Sequence, residues 1–191
     1  MRHSFLLLGA CTLLLAGCKQ ENKDSGTTPP PPEQEQRDST LWGRLGEDTG
    51  MSVLQLITDN GDTLDLYRTN PYSGEDGILT GDIRNYTDRF AMTVSEDGES
   101  MLTAVNVTQL QQQWKNEKGS IDIRDDGSIE AEDMTYIGWK LWNGHLLFSS
   151  EQQTEYGTST RVDTMEILRL DDDTLVVLDH INQSHVFSKE Q

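Results

Sequence analysis

The chain has 191 residues, with 15 Lys and Arg against 33 Asp and Glu, for a net charge of −18. A field of that sign repels nucleic acid and anionic lipid headgroups at long range, which excludes a polyanion-binding role and leaves no nucleic-acid partner. Two cysteines, Cys11 and Cys18, both lie near the N-terminus.

The first element in chain order is an export signal. Arg2 and His3 form a short basic region, followed by an apolar run over residues 5–15. That run falls short of the roughly 20 apolar residues a transmembrane helix needs, and suits the core of a signal peptide. It closes on Leu15-Ala16-Gly17-Cys18, which resembles the lipobox of bacterial lipoproteins. The resemblance implies that residues 1–17 are cut away and that the Cys18 thiol accepts the lipid. The small Ala16 and Gly17 let a peptidase approach the backbone. A single acyl chain holds a protein to a bilayer only marginally, so lasting attachment needs several, of the palmitate type. The expected partner is thus a membrane, held through the N-terminal lipid in the bacterial envelope, at the outer membrane.

Cleavage also removes Cys11 and Arg2, leaving 14 cationic side chains against 33 acidic ones, a net of −19. With Cys18 consumed as the anchor, the processed chain offers no disulfide, no thiolate metal site and no catalytic cysteine.

Residues 18–40 comprise the anchor and a polar tether, KQENKDSGTTPPPPEQEQRDS over residues 19–39. Such a stretch cannot bury a core, and its four consecutive prolines, Pro29 to Pro32, favour an extended, stiff chain.

From residue 41 onward, short β-type runs alternate with turn chemistry. Residues 51–58 (MSVLQLIT) and 63–67 (TLDLY) flank Asn60-Gly61. Residues 90–94 (FAMTV) and 101–105 (MLTAV) flank Asp97-Gly98. Residues 120–123 and 129–131 flank Asp126-Gly127, and residues 136–142 (YIGWKLW) and 146–148 flank Asn143-Gly144. Residues 164–170 and 174–178 flank Asp171-Asp172-Asp173. Asn-Gly and Asp-Gly supply the positive φ angles of tight hairpins. About a dozen such strands predict an all-β chain built as antiparallel barrels or sandwiches. One short helix is expected near residues 107–118, with Leu110 and Trp114 one turn apart. The polar break from Trp114 to Gly119 suggests a junction, giving an N-terminal small β-barrel or sandwich at 41–112 and a second β module at 113–190.

The second module carries a resemblance. Residues 129–140 (IEAEDMTYIGWK) are followed by Leu146-Leu147-Phe148, then by residues 163–170 (DTMEILRL) and by Asp173-Thr174-Leu175-Val176. This order resembles a family of small lipocalin-like lipoproteins from the Bacteroidetes group. The resemblance covers about residues 115–190 and implies a lipocalin-like β-barrel in the envelope. It departs from lipocalin-type chains at the opening Gly-x-Trp, where Gln112-Gln113-Trp114 stands instead.

Three features compete for chemistry. Asp122, Asp125 and Asp126 fall at positions 1, 4 and 5 of an EF-hand-like loop with Gly127 at 6, but positions 3 and 12 are Arg124 and Asp133. A cation inside the cage argues for a plain hairpin turn, so no metal is expected. Trp139 and Trp142 are three apart, so a strand points them to opposite faces. With Trp114 they are the candidate ligand-facing or core aromatics, and an exposed one would make a stacking platform for a sugar ring. His145, His180 and His185 make no ligand pair, and neither a nucleophile elbow nor a phosphate loop occurs. The expected function is therefore a non-catalytic binding or accessory protein for a small apolar ligand or a glycan. It needs no cofactor, and is monomeric because acids blunt its strand edges. The alternative is an interaction lipoprotein that docks on another envelope complex. If residues such as Met134, Ile137, Leu147, Met165, Ile167 and Val176 close the barrel interior, the ligand reading fails and docking is left.

Overall fold

The computed structural model of the protein describes residues 37–132 and 136–190. The expected signal peptide, Leu15, Ala16, Gly17, Cys18, the expected tether through residue 36, and both Asp133 and Met134 lie outside the described residues.

The first half forms a six-stranded sheet. In chain order its strands are β1 (Thr40–Leu45), β2 (Val53–Thr58), β3 (Thr63–Tyr67), β4 (Ile78–Thr80), β5 (Arg89–Val94) and β6 (Met101–Asn106). Their order across the sheet is β3-β2-β1-β5-β6-β4, antiparallel except where β4 runs parallel to β6. The Asn60-Gly61 and Asp97-Gly98 hairpins join the expected strands, with φ of 92° at Gly61 and 74° at Gly98. Strand β5 is buried on both faces, which explains its unbroken apolar run. Phe90 and Met92 enter a cluster with Leu45, Leu54, Leu56, Leu66, Met101 and Ala104. Ala91, between them, points the other way and joins the core of the second half with Val105.

The helix is shorter than its sequence suggests. α1 (Val107–Leu110) is a single turn, capped by Asn106, whose side chain accepts from the Gln109 N–H. Trp114 lies beyond it, in a strand. The polar residues 111–113 offer no apolar stripe to bury, so extended pairing wins over a second helical turn.

The second half is an eight-stranded meander. Its strands are β7 (Gln113–Asn116), β8 (Gly119–Ile123), β9 (Ile129–Ala131), β10 (Tyr136–Trp142), β11 (His145–Thr154), β12 (Gly157–Leu170), β13 (Thr174–Leu178) and β14 (Ser184–Lys189). Each pairs antiparallel with its neighbour in sequence except β9 with β10, and β14 returns to β7 through Ser188↔Lys115 and Lys189↔Trp114. The loosest seam lies between β9 and β10. A bridge between Ser128 and Gly138, and a 2.8 Å hydrogen bond from the Trp139 N–H to the Gly127 carbonyl, hold it. The result is an antiparallel, nearly closed eight-stranded barrel. The passage from sheet to barrel runs through α1 and Gln111-Gln112, and residues 114–119 fall inside the β7–β8 hairpin.

The barrel interior is filled by side chains. Trp114, Ile121, Ile123, Ile129, Trp139, Leu141 and Leu146 are buried there together with Phe148, Met165, Ile167, Leu170, Leu175, Val177 and Phe187. Val107 and Leu110 of α1 join the same cluster, with Trp42 packed against it. Three residues expected inside face outward. A register shift between Tyr136 and Gly138 makes Ile137 a bulge, leaving it half exposed. Val176 alternates with the buried Leu175 and Val177 and so lies on the outer face. Leu147 lies between the inward Leu146 and Phe148 and opposite the exposed Lys140, so it is buried on the outer face. Met165 and Ile167 are buried inside as expected.

Candidate functional site

The three singled-out tryptophans have different surroundings. Trp114 is fully buried in the barrel, and its indole N–H donates to the Leu110 carbonyl at 2.9 Å, tying α1 over the interior. Trp139 is buried too, its indole N–H donating to the Arg124 carbonyl at 2.7 Å. These bonds satisfy the one polar atom each indole must bury. Trp142, on the opposite face of β10, is half-buried beside His145 of β11.

A fourth tryptophan, which sequence reasoning did not single out, lies at the mouth of a cleft. Trp42 on β1 is half-buried. Pairing of β1 with β5 brings Arg89 alongside, its guanidinium carbon 5.0 Å from the centre of the Trp42 ring. The Arg89 Nη2 also donates to Asp59 Oδ2 at 2.5 Å, and the Asp59 N–H donates to the Trp42 carbonyl at 2.8 Å. Facing them across about 330 Å³ are Gln111, the β8–β9 turn residues Asp125, Asp126 and Gly127, and Trp139 and Lys140 of β10. The cleft thus lies where the six-stranded sheet meets the barrel. Its sequence signals were Trp139 and the Asp125-Asp126-Gly127 turn, while Trp42, Asp59, Arg89 and Lys140 join them only through sheet pairing.

A second, more polar cleft of about 530 Å³ lies between the 82–88 loop and the β12–β13 turn. Hydrogen bonds within the protein occupy several of its polar groups, while Gln112 Oε1 is buried without a partner. Asn106 Nδ2 donates to the Asp82 carbonyl and to Asp88 Oδ2, each at 2.7 Å. Gln109 accepts from the Asp82 N–H through Oε1 and donates to Asp172 Oδ1 through Nε2, each at 2.7 Å. These bonds fasten the sheet to the barrel.

The acidic turns are hydrogen-bonded turns. Asp126 Oδ1 accepts the Ser128 N–H at 2.8 Å, and Asp171 Oδ1 accepts the Asp173 N–H at 3.1 Å. Bonds with Ser128 hold the Asp126 carboxyl below its ordinary range, and the Asp173 N–H does the same for Asp171. Arg124 fills the would-be ligand ring, donating to Asp122 Oδ2 at 2.9 Å and pairing with Glu130. His185 is bonded to Asp179 at 2.9 Å, which lowers the Asp179 pKa, and His180 lies on an exposed turn. Tyr136 packs on Phe148 with ring centres 4.9 Å apart, and burial raises the pKa of its phenol.

An up-and-down antiparallel barrel of eight strands, capped by a short helix, defines the class. Residues 105–190, which contain it, match the lipocalin-like family. The resemblance read from residues 129–179 is therefore borne out, and the match takes in α1 and all eight barrel strands. Among solved structures, a lipocalin-like protein from Bacteroides thetaiotaomicron VPI-5482 is similar at 24% identity, over 43% of this chain and 97% of that chain, with a TM-score of 0.35. No curated protein matches the chain.

Proposed function

We propose that the protein is a monomeric envelope lipoprotein, held to the outer membrane by lipid on Cys18, that binds a small ligand without transforming it. The observation that carries the binding half is the lipocalin-like match over residues 105–190, coinciding with the nearly closed β7–β14 meander. The anchoring half rests on Leu15-Ala16-Gly17-Cys18 following an apolar run too short to span a bilayer. A barrel of eight strands is just wide enough to be filled by its own side chains. This interior is so filled, which ends the reading of a ligand held inside the barrel; the proposed ligand binds outside it.

A second reading follows from the β11–β12 hairpin. Residues 151–154 and 157–162 are exposed along both strands, and Tyr156 at the tip is 97% exposed. A two-stranded arm with both faces in water contributes little to its own stability, which favours a role in docking on another envelope protein. A thermal-shift screen of the processed protein against fatty acids, haem and oligosaccharides separates the two. A rise in melting temperature with one class is the expected result, since a ligand that binds only the folded state stabilises it. No shift with any class would overturn the binding reading in favour of docking.

A further inference from the structure

We propose that the cleft between Trp42 and the β8–β9 turn is a binding site for a neutral glycan, one or two sugar rings long. This rests on the small-ligand reading above and gives it a place and a chemistry.

The volume comes first. About 330 Å³ stands at the lower end of the roughly 300–1,000 Å³ of small-molecule sites. It is room for a terminal sugar or a disaccharide, and too little for a long polymer.

The lining then selects the class. Trp42 supplies an aromatic surface, while charged and amide groups surround it, namely Arg89, Asp59, Asp125, Lys140 and Gln111. An acyl chain or a porphyrin laid there would strip water from these groups and return no hydrogen bonds, at a cost of several kcal/mol. A pyranose fits both halves of the lining. Its C–H groups pack beside the Trp42 indole, one face of which Arg89 covers. Its hydroxyls both donate and accept, matching carboxylates on one side and an ammonium or amide on the other.

Charge narrows the class further. Three carboxylates, Asp59, Asp125 and Asp126, stand against two cations in the lining. One of those cations, Arg89, is already paired with Asp59. An anionic sugar would meet that acid excess within the field of a strongly negative protein, so uronates and sulfated sugars are disfavoured.

The Arg89–Asp59 pair also pre-sets the site. The guanidinium is held over Trp42 and against Asp59 before any ligand arrives. Ordering costs on binding are correspondingly small.

The test is binding of the processed, detergent-solubilised lipoprotein to an array of neutral, uronate-bearing and sulfated glycans. Palmitate and haem are titrated in parallel, with tryptophan fluorescence as the readout. The expected result is binding to at least one neutral glycan, weakened about tenfold or more in Trp42→Phe and in Asp125→Ala, which is about 1.4 kcal/mol. Trp142→Phe, outside the cleft, should bind as the parent does. Asp125 is an exposed turn residue, so its variant reports on the site even if Trp42→Phe fails to fold. Binding to palmitate or haem with no glycan retained would overturn the glycan site and leave the small-ligand reading standing. Binding only to anionic glycans, or neutral-glycan binding unchanged in Asp125→Ala, would also overturn the proposed site. Silence with every probe would overturn both readings together.

Discussion

At the scale of single residues, the acid excess of this chain is put to work in its turns. Asp97, Asp126, Asp171 and Asp179 each accept the backbone N–H two residues further on. Side-chain bonds from Ser95, Ser128 and His185 act first at Asp97, Asp126 and Asp179, and the backbone N–H acts first at Asp171. Such bonds favour the charged carboxylate, so all four have lowered pKa values. Asp82 goes furthest. The Arg84 guanidinium beside it, together with the Arg84 N–H, holds its carboxyl down at about 2. A carboxyl depressed in the folded state adds stability that is complete above its unfolded value of roughly 3.9 and lost as pH falls towards about 2. A carboxyl-carbon NMR titration should therefore show Asp82 with a midpoint near 2. A midpoint near 4 would mean that the Arg84 contact does not persist in solution. The Asp-Gly turns were legible from sequence because Asp and Gly serve local geometry. The Asp82–Arg84 contact, the Asp179–His185 pair and the place of Trp42 were not. Trp42 depends on neighbours 17 and 47 residues away in sequence, Asp59 and Arg89.

Among the elements, the Asn143-Gly144 turn does more than reverse the chain. Asn143 adopts φ of 48° and Gly144 φ of 81°, the pair of positive angles that a tight hairpin between β10 and β11 requires. The same turn clamps the barrel to the start of the sheet. Asn143 Oδ1 accepts from the Ser39 N–H at 2.9 Å, and Asn143 Nδ2 donates to the Arg37 carbonyl at 3.1 Å. Its backbone N–H donates to Thr40 Oγ1 at 3.0 Å. At Gly144 an added methyl would lie 2.5 Å from Thr103 Oγ1, whereas at Gly61 it would meet nothing within 4 Å. Gly61→Ala should therefore cost only the backbone term of about 1–2 kcal/mol. Gly144→Ala should cost more, by at least about 1 kcal/mol, since it adds overpacking to the same term. Urea unfolding of the two variants measures this, and equal losses would show that the turn is not packed against β6. The sequence made the hairpin readable through Asn-Gly, but its clamp to residues more than 100 positions earlier leaves no local trace.

For the whole molecule, alternation and turn spacing made the all-β architecture readable, and the order of motifs from residue 129 made the lipocalin-like half readable. What escaped was how the two halves share material. Strand β5 sends Phe90 and Met92 into one core and Ala91 into the other, and α1 drops Leu110 onto the barrel interior beside Trp114. A run such as FAMTV is the same string whether one face or both are covered. Ile137 escaped for a related reason, since a bulge shifts the alternation by one residue without changing composition. The outcome is a compact β unit over residues 37–191, whose interior is already filled. The proposed attachment to a membrane rests on Cys18 and the Leu15-Ala16-Gly17 that precedes it. The most direct measurement of that claim is fractionation of cells producing the parent chain or Cys18→Ser. The parent should partition with membranes, and the exported variant should be soluble with an unchanged far-ultraviolet circular dichroism spectrum. An exported, folded Cys18→Ser protein that still sediments with membranes would contradict the account.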